Sequence, residues 1–506
     1  MIQRILSLPF IVILMGIGAL AMLGPAVFGY FSRDLHDARV FLYASILFFT
    51  LTTLIGVASM DSRKHSAARS HLLAMLGAYV LLPVVLAVPF YEAVENTSFL
   101  NAYFEMVSSL TTTGATLFDD PNRLSQTEHL WRAIVGWMGG FFIWVTAIAI
   151  LAPMNLGGFE VTATGRVGHS ATDFVQISDR TDASRRLSRS AAQLLPIYLG
   201  LTLALWIFLI VAGDSAFVAL CHSMSTLSTS GISPVGGLAG GNAGLSGEFL
   251  VFIFLFFAIS RLTYAPETQS NSLKLLVSDP EFRMGLFCVL VIPAFLFLRH
   301  WVGAYEIDEE ENILGAVSAL WGGIFTVLSF LTTTGFESSD WDAARGWSGL
   351  NTPGLIFVGL SIIGGGVATT AGGVKLLRVY ALYMHGAREL ERLVHPSSVG
   401  GSGHSARHIR RQGAYMAWIF FMLFALSIAV ITAALALNGL SFESSIVLTV
   451  ASLSTTGPLA GIAAETPLTF AELNDIGKLI TGSAMVLGRL ETLAFIALLN
   501  PDFWRT

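Results

Sequence analysis

The chain has 506 residues, 54% of them hydrophobic and only 12% charged, and its mean hydropathy is +0.69. Soluble domains carry about 25% charged residues, so this composition suits lipid as the solvent. A formal charge of −6 with no basic block excludes a nucleic-acid-binding arm. Cys221 and Cys288 both lie in apolar segments and read as free, buried thiols.

Taken in chain order, apolar runs long enough to span a bilayer occur near residues 5–30, 38–59, 69–90, 130–152, 190–212, 248–265, 284–301, 353–382, 413–437 and 476–499. The first follows Arg4 and exceeds the roughly 7–15 residues of a signal-peptide core, so it reads as a retained helix. Ten crossings put both termini on one side. Basic residues fall in alternate loops: Arg63, Lys64 and Arg69; Arg180, Arg185, Arg186 and Arg189; Arg388, Arg392, Arg407, Arg410 and Arg411. The opposite loops are acidic, with Glu92, Glu95, Asp119 and Asp120, then Glu306, Asp308, Glu309, Glu310 and Glu311. This asymmetry predicts a multi-pass protein of the cytoplasmic (inner) membrane with both termini cytoplasmic.

Four further apolar segments, 98–110, 215–227, 315–331 and 442–453, are too short to cross and read as re-entrant half-helices in outward-facing loops. Each ends in the same chemistry. The endings are Ser-Ser-Leu-Thr-Thr-Thr-Gly (108–114), Ser-Thr-Leu-Ser-Thr-Ser-Gly (225–231), Ser-Phe-Leu-Thr-Thr-Thr-Gly (329–335) and Ala-Ser-Leu-Ser-Thr-Thr-Gly (451–457). Their glycines are 117, 104 and 122 residues apart, a repeat of one structural unit: span, half-helix, hydroxyl-rich loop, span. The predicted fold is therefore an all-α polytopic membrane protein. Two N-terminal helices (1–65) precede four helix–pore-loop–helix units at 66–160, 161–278, 279–395 and 396–506 around a central pore.

Non-helical backbone at membrane depth is tolerated only where protein buries it or where it lines a watery path. Four copies of one hydroxyl-rich loop point to a shared polar axis. A cation leaving water needs oxygens in place of its hydration shell, which carbonyls and hydroxyls supply without fixed charge. The candidate lining is Thr111, Thr112, Thr113 and Gly114; Ser228, Thr229, Ser230 and Gly231; Thr332, Thr333, Thr334 and Gly335; Ser454, Thr455, Thr456 and Gly457. Glycine is expected to turn the carbonyls through positive φ, and each half-helix to aim the partial negative charge of its C-terminus at the cation. A single Thr-Thr-Thr-Gly reads more readily as helix-packing hydroxyls; four in-phase copies reverse that balance.

Two other features stand out. The segment Ile-Ile-Gly-Gly-Gly-Val-Ala-Thr-Thr-Ala-Gly-Gly-Val-Lys (362–375) carries glycine clusters that break a helix, and it lacks the Gly-Lys-Ser/Thr ending of a phosphate-binding loop. It reads either as a close helix crossing through small residues or as a functional break. Arg489, inside the last span, faces a cavity or a partner such as Glu491. Glu105, in the first half-helix, is balanced between attracting cations and packing. His222 reads as a hydrogen-bonded packing residue, and His385, His395, His404 and His408 lack metal-site spacing. The stretch 396–403 reads as a flexible cytoplasmic loop. No HExxH, GxSxG or CxxC pattern supports an enzyme.

The segment Phe-Glu-Met-Val-Ser-Ser-Leu-Thr-Thr-Thr-Gly-Ala-Thr (104–116), Gly-Arg-Leu-Glu (488–491) and Pro-Asp-Phe-Trp-Arg (501–505) resemble the Trk/Ktr/HKT superfamily of potassium transporters, and within it the TrkH-like members with two extra N-terminal helices. The resemblance covers nearly the whole chain and implies potassium uptake through one filter per subunit of a homodimer. It implies potassium as the transported ion, held at Thr112, Thr113, Thr229, Ser230, Thr333, Thr334, Thr455 and Thr456, with no organic cofactor in this chain. It further implies a gating loop carrying Gly364, Gly365, Gly366, Thr369, Thr370, Gly372, Gly373 and Lys375. Arg489 is expected to project beside that loop as an electrostatic barrier. A cytosolic nucleotide-binding partner of the TrkA type is expected on the basic inner face, at 180–189 and 388–411. Ser230 before the second glycine and Pro458 after the fourth depart from the pattern. The competing readings are a Na+- or H+-coupled secondary transporter and a non-selective monovalent cation channel. The scarcity of Asp, Glu and His in the full spans argues against the first.

Overall fold

The computed structural model describes residues 9–59, 67–153, 158, 159, 161, 183–260, 276–304, 312–342, 345, 354–395, 411–464 and 466–490, and every regular element among them is helical. In chain order these are α1 (Phe10–Phe31), α2 (Leu35–Ala58), α3 (Ala67–Ala93), α4 (Phe99–Leu110), α5 (Gln126–Thr146), α6 (Ala183–Ala212), α7 (Ala216–Ser228) and α8 (Gly244–Leu255). There follow α9 (Pro280–Ala304), α10 (Asn312–Leu331), α11 (Gly354–Ile363), α12 (Leu376–Val394), α13 (Arg411–Leu437), α14 (Phe442–Leu453), α15 (Leu459–Ala463) and α16 (Asp475–Leu490). Seven of them, α1, α2, α3, α5, α6, α9 and α13, are long and apolar enough to cross a membrane. The chain is an all-α polytopic membrane protein.

The short helices start where serine can cap them. The side chains of Ser98, Ser215 and Ser441 accept the amides of Asn101, Val218 and Ser444, satisfying donors that a helix start leaves open. α10 begins at Asn312, a few residues earlier than the expected 315.

One expected span is corrected. The stretch 353–382 is not a single helix: α11 stops at Ile363, residues 364–375 are irregular, and α12 begins only at Leu376. The cause is the pair of glycine clusters, with Gly364 and Gly373 both at positive φ. Two other expected spans, 248–265 and 476–499, run past the described residues. Arg63, Lys64, Arg180, Arg407, Arg410, Glu306, Asp308, Glu309, Glu310, Glu311, His404, His408, Glu491 and the stretches 396–403 and 501–505 also lie outside them.

Packing closes the repeats into a ring. Each short helix packs on the helix before it and on the outer helix of the preceding unit: α7 on α5, α10 on α8, α14 on α11, and α4 on α16 of the fourth unit. Close approach is achieved with glycine. A methyl on Gly139 of α5 would overlap the carbonyl of Leu110 at the end of α4, and one on Gly488 of α16 that of Leu453 at the end of α14. α1 and α2 lie outside this ring, packed on α3 and α5.

Candidate ion pathway

Every short helix ends the same way. Thr112, Thr229, Thr333 and Thr455 are left-handed, at φ 53°, 53°, 57° and 54°. The amide of the residue after each left-handed threonine reaches back five residues: Thr113 to the Ser108 carbonyl at 2.8 Å, Ser230 to Ser225 at 3.0 Å, Thr334 to Ser329 at 2.9 Å and Thr456 to Ala451 at 2.8 Å. This is a Schellman ending with a β-branched residue where glycine is usual. A left-handed β-branched residue costs about 1–2 kcal/mol. Four such costs at one depth indicate that the backbone path beyond the helix is what is being held.

The glycines depart from expectation. Gly114, Gly231 and Gly335 have positive φ, but Gly457 does not, so the left-handed turn shared by all four loops is made by threonine. What the glycines share is contact with the next loop. A methyl on Gly114 would overlap the Ser230 carbonyl, one on Gly231 the Thr334 carbonyl, and one on Gly457 the Ala115 amide; one on Gly335 would lie 2.9 Å from Pro458 Cγ. First loop touches second, second third, third fourth, and fourth first. The Gly457 amide seals the last junction by donating to the Thr113 carbonyl at 2.6 Å. The carboxyl ends of four helices thus meet a single ring of loops, each contributing partial negative charge.

Within each loop the first and third hydroxyls engage one another: Thr111–Thr113 at 2.8 Å, Ser228–Ser230 at 3.0 Å, Thr332–Thr334 at 3.1 Å and Ser454–Thr456 at 3.3 Å. The middle threonines differ. Thr112 Oγ1 and Thr455 Oγ1 are buried without a protein partner, Thr229 Oγ1 donates to the Ser228 carbonyl, and Thr333 Oγ1 accepts from Gly372. Two hydroxyls of the ring, those of Thr112 and Thr455, are thus left for a ligand, while the first and third hydroxyls of every loop are engaged with one another.

The irregular segment 364–375 lies against the helix end of this ring. Gly372 N–H donates to Thr333 Oγ1 at 2.7 Å and Thr370 Oγ1 to the Leu227 carbonyl at 3.1 Å. A methyl on Gly372 would overlap the Ser454 carbonyl and Thr455 Oγ1. Its other side is tied down by Glu281 of α9, which accepts the Val367 amide at 2.7 Å, and by the Ala258 carbonyl, which accepts the Gly366 amide at 3.0 Å. Buried Lys375, at φ 85°, donates its ammonium to the Ala371 carbonyl and closes the segment on itself. Gly364, Gly365, Gly366, Thr369 and Gly373 are all buried in this segment. Arg489 is 4% exposed and bounds one small cavity with Gly372, Gly373, Lys375 and Thr369. The arginine expected beside the segment is thus beside it, and Tyr79 lies within its electrostatic reach.

Support for the loops comes partly from residues that the sequence left undecided or unnoticed. Glu105, fully buried, pairs with Arg132 of α5 at 3.0 Å and accepts the Leu117 amide at 2.6 Å and the Thr116 hydroxyl at 2.9 Å. It clamps the outgoing limb of the first loop. His222 and Thr326 stand at the same distance before their glycines and serve their own loops: His222 Nε2 lies 2.9 Å from Ser233 Oγ, and Thr326 Oγ1 accepts the Ser338 amide at 3.4 Å. Glu248 of α8 takes the Ser339 amide at 2.7 Å, the Ser338 and Ser339 hydroxyls at 2.6 Å each, and the Trp321 indole at 3.0 Å. Arg132, Glu248 and Glu281 escaped the sequence reading although a charged residue in an apolar helix is itself a signal. Near the second loop, Asp214 accepts the Asn242 and Ala243 amides at 2.6 and 2.9 Å and lies 3.8 Å from His222 Nδ1. Burial alone would raise the Asp214 carboxyl; the nearby His222 and the hydrogen bonds from the Ala243 and Asn242 amides outweigh it and hold it below the usual carboxylate range.

Comparison with known proteins agrees with this architecture. The chain is 30% identical over 488 residues to the Trk system potassium uptake protein TrkH of Salmonella typhimurium, covering 96% of each chain. It is 30% identical over 512 residues to the protein of the same name from Vibrio parahaemolyticus, covering 98% of each. The crystal structure of the potassium transporter TrkH from Vibrio parahaemolyticus superposes with a TM-score of 0.80 at 26% identity, covering 100% of both chains. The family model described as TrkH, cation transport protein, matches residues 38–236 and 249–503. The chain belongs to the TrkH family of cation transport proteins, which are transporters and not enzymes.

Proposed function

We propose that this chain takes up potassium across the cytoplasmic membrane through the ring of four loops, with segment 364–375 as its gate. The observation that carries the reading is the closure of the ring, in which each glycine rests on the next loop and the last returns to the first. Such a ring holds carbonyls at fixed spacing around one line, as dehydration of a monovalent cation demands. The ions would sit between the level of Thr112, Thr229, Thr333 and Thr455 and that of Thr113, Ser230, Thr334 and Thr456. Relatives named for potassium uptake support the choice of cation.

The segment suits a gate because its contacts with the ring are few, polar and reversible, while its far side is anchored by Glu281. Arg489 adds a positive charge on the same path, a barrier to cations while the segment is closed. The name of the relatives, a Trk system, supports a multi-component assembly. We infer a homodimer with a cytosolic nucleotide-binding partner on the basic face and both termini cytoplasmic.

Rubidium uptake into potassium-loaded proteoliposomes tests this. Uptake that persists when sodium and proton gradients are collapsed, and that excess potassium suppresses more than excess sodium, is expected. Uptake that requires either gradient would replace the pore with a coupled transporter.

A further inference from the structure

The ring is fourfold at its helix end but not at its glycine end. Pro458 follows Gly457, and a residue before proline is kept out of helical backbone geometry by the proline ring. Gly457 accordingly lacks the positive φ of Gly114, Gly231 and Gly335, and its amide is spent on the Thr113 carbonyl. The proline ring itself lies over the neighbouring loops. A methyl on Gly335 would meet Pro458 Cγ, Cβ and Cδ at 2.9, 3.0 and 3.1 Å, and one on Gly231 would meet Cγ at 2.9 Å. The second loop is diagonal to the fourth in the order established above, so a side chain of the fourth that reaches the glycine of the second extends across the mouth. Exposure is unequal as well, and of the second and third loops the third is the more fully covered. Gly114 and Gly231 are partly exposed, whereas Gly335 and Gly457 are buried beside Pro458. The ring is held firmly in place: α15 starts directly after it with Leu459 and Ala460 buried, and the Gly461 amide returns to the Pro458 carbonyl at 3.0 Å.

We propose that Pro458 is a selectivity-setting residue of the outer mouth: its apolar ring narrows the opening over the second and third loops, so that a cation enters along the first-loop side. On the covered side the ring offers no oxygen to replace lost water, and a cation larger than potassium finds too little width. This inference rests on the pore reading above but separates from it experimentally.

The test is cesium and potassium flux through proteoliposomes of the full chain, wild type against Pro458→Ala. The cesium-to-potassium ratio is expected to rise about tenfold, which is about 1.4 kcal/mol of relative barrier. An unchanged ratio, or loss of potassium flux in folded Pro458→Ala protein, overturns the proposal; absence of potassium flux in the wild type would instead overturn the pore itself. A second variant guards against misfolding. Pro458→Cys exposed to a membrane-impermeant cationic thiol reagent should lose at least about nine-tenths of its flux, as expected for a charge fixed in the conduction path, with the wild type unaffected. Absence of labelling, or labelling that leaves flux intact, contradicts the assignment.

Discussion

Replacing Gly372 by alanine should release the segment from the ring. Gly372 lacks positive φ, so alanine suits its backbone; the obstacle is space. The added methyl would sit about 1 Å inside van der Waals separation from the Ser454 carbonyl and Thr455 Oγ1, both part of the rigid helix end. Relief requires the segment to withdraw, which breaks the Gly372–Thr333 bond at 2.7 Å and the Thr370–Leu227 bond at 3.1 Å. At about 1 kcal/mol net for each buried hydrogen bond, the closed state loses about 2 kcal/mol. That shifts the open-to-closed ratio by about 30-fold. Thr333→Val removes only the first bond and should shift it by about fivefold. The assay is rubidium flux into proteoliposomes containing this chain alone, normalised to monodisperse protein. Wild-type flux in folded Gly372→Ala would refute the view that these contacts hold the segment closed.

Other consequences concern charge. Glu105→Gln leaves Arg132 buried without its carboxylate and should destabilise the first unit by about 3–5 kcal/mol, visible as a lower Tm in detergent; the Glu105→Gln/Arg132→Met pair should recover most of that. Arg489→Ala should raise basal flux by removing a cation from the path, and unchanged flux would count against the barrier. Asp214, with its folded pKa depressed, contributes stability that is present above the ordinary carboxylate value of 3.8 and lost as pH falls through the folded value. Asp214→Asn should therefore lower Tm at neutral pH, with the difference from wild type closing below about pH 4.

Much of this architecture was legible in the sequence because its determinants are local. Apolar lengths placed α4, α7 and α14 within about a residue of their observed bounds, close to the ±1–2 residues by which helix ends are defined. The break at 364–375 was signalled by glycine, although the expected span ran straight through it. What the sequence concealed is non-local. That Glu105 meets Arg132, or that Glu248 of the second unit clamps the third loop at Ser338 and Ser339, depends on how the units close around the axis. The shared left-handed turn was assigned to glycine on propensity, but the Schellman bonds impose it on threonine two residues earlier. Aligning the repeats does bring Glu105, His222, Thr326 and Leu448 into register. The lack of a polar group at Leu448 marks the fourth loop as different, and that loop is continued by α15 instead.

Rubidium anomalous scattering from crystals of this chain is the most direct measurement. Density is expected on the line enclosed by the four loops, between the middle threonines and the glycines. Density confined to sites outside that enclosure, in protein that still transports rubidium, would contradict a pore through the ring.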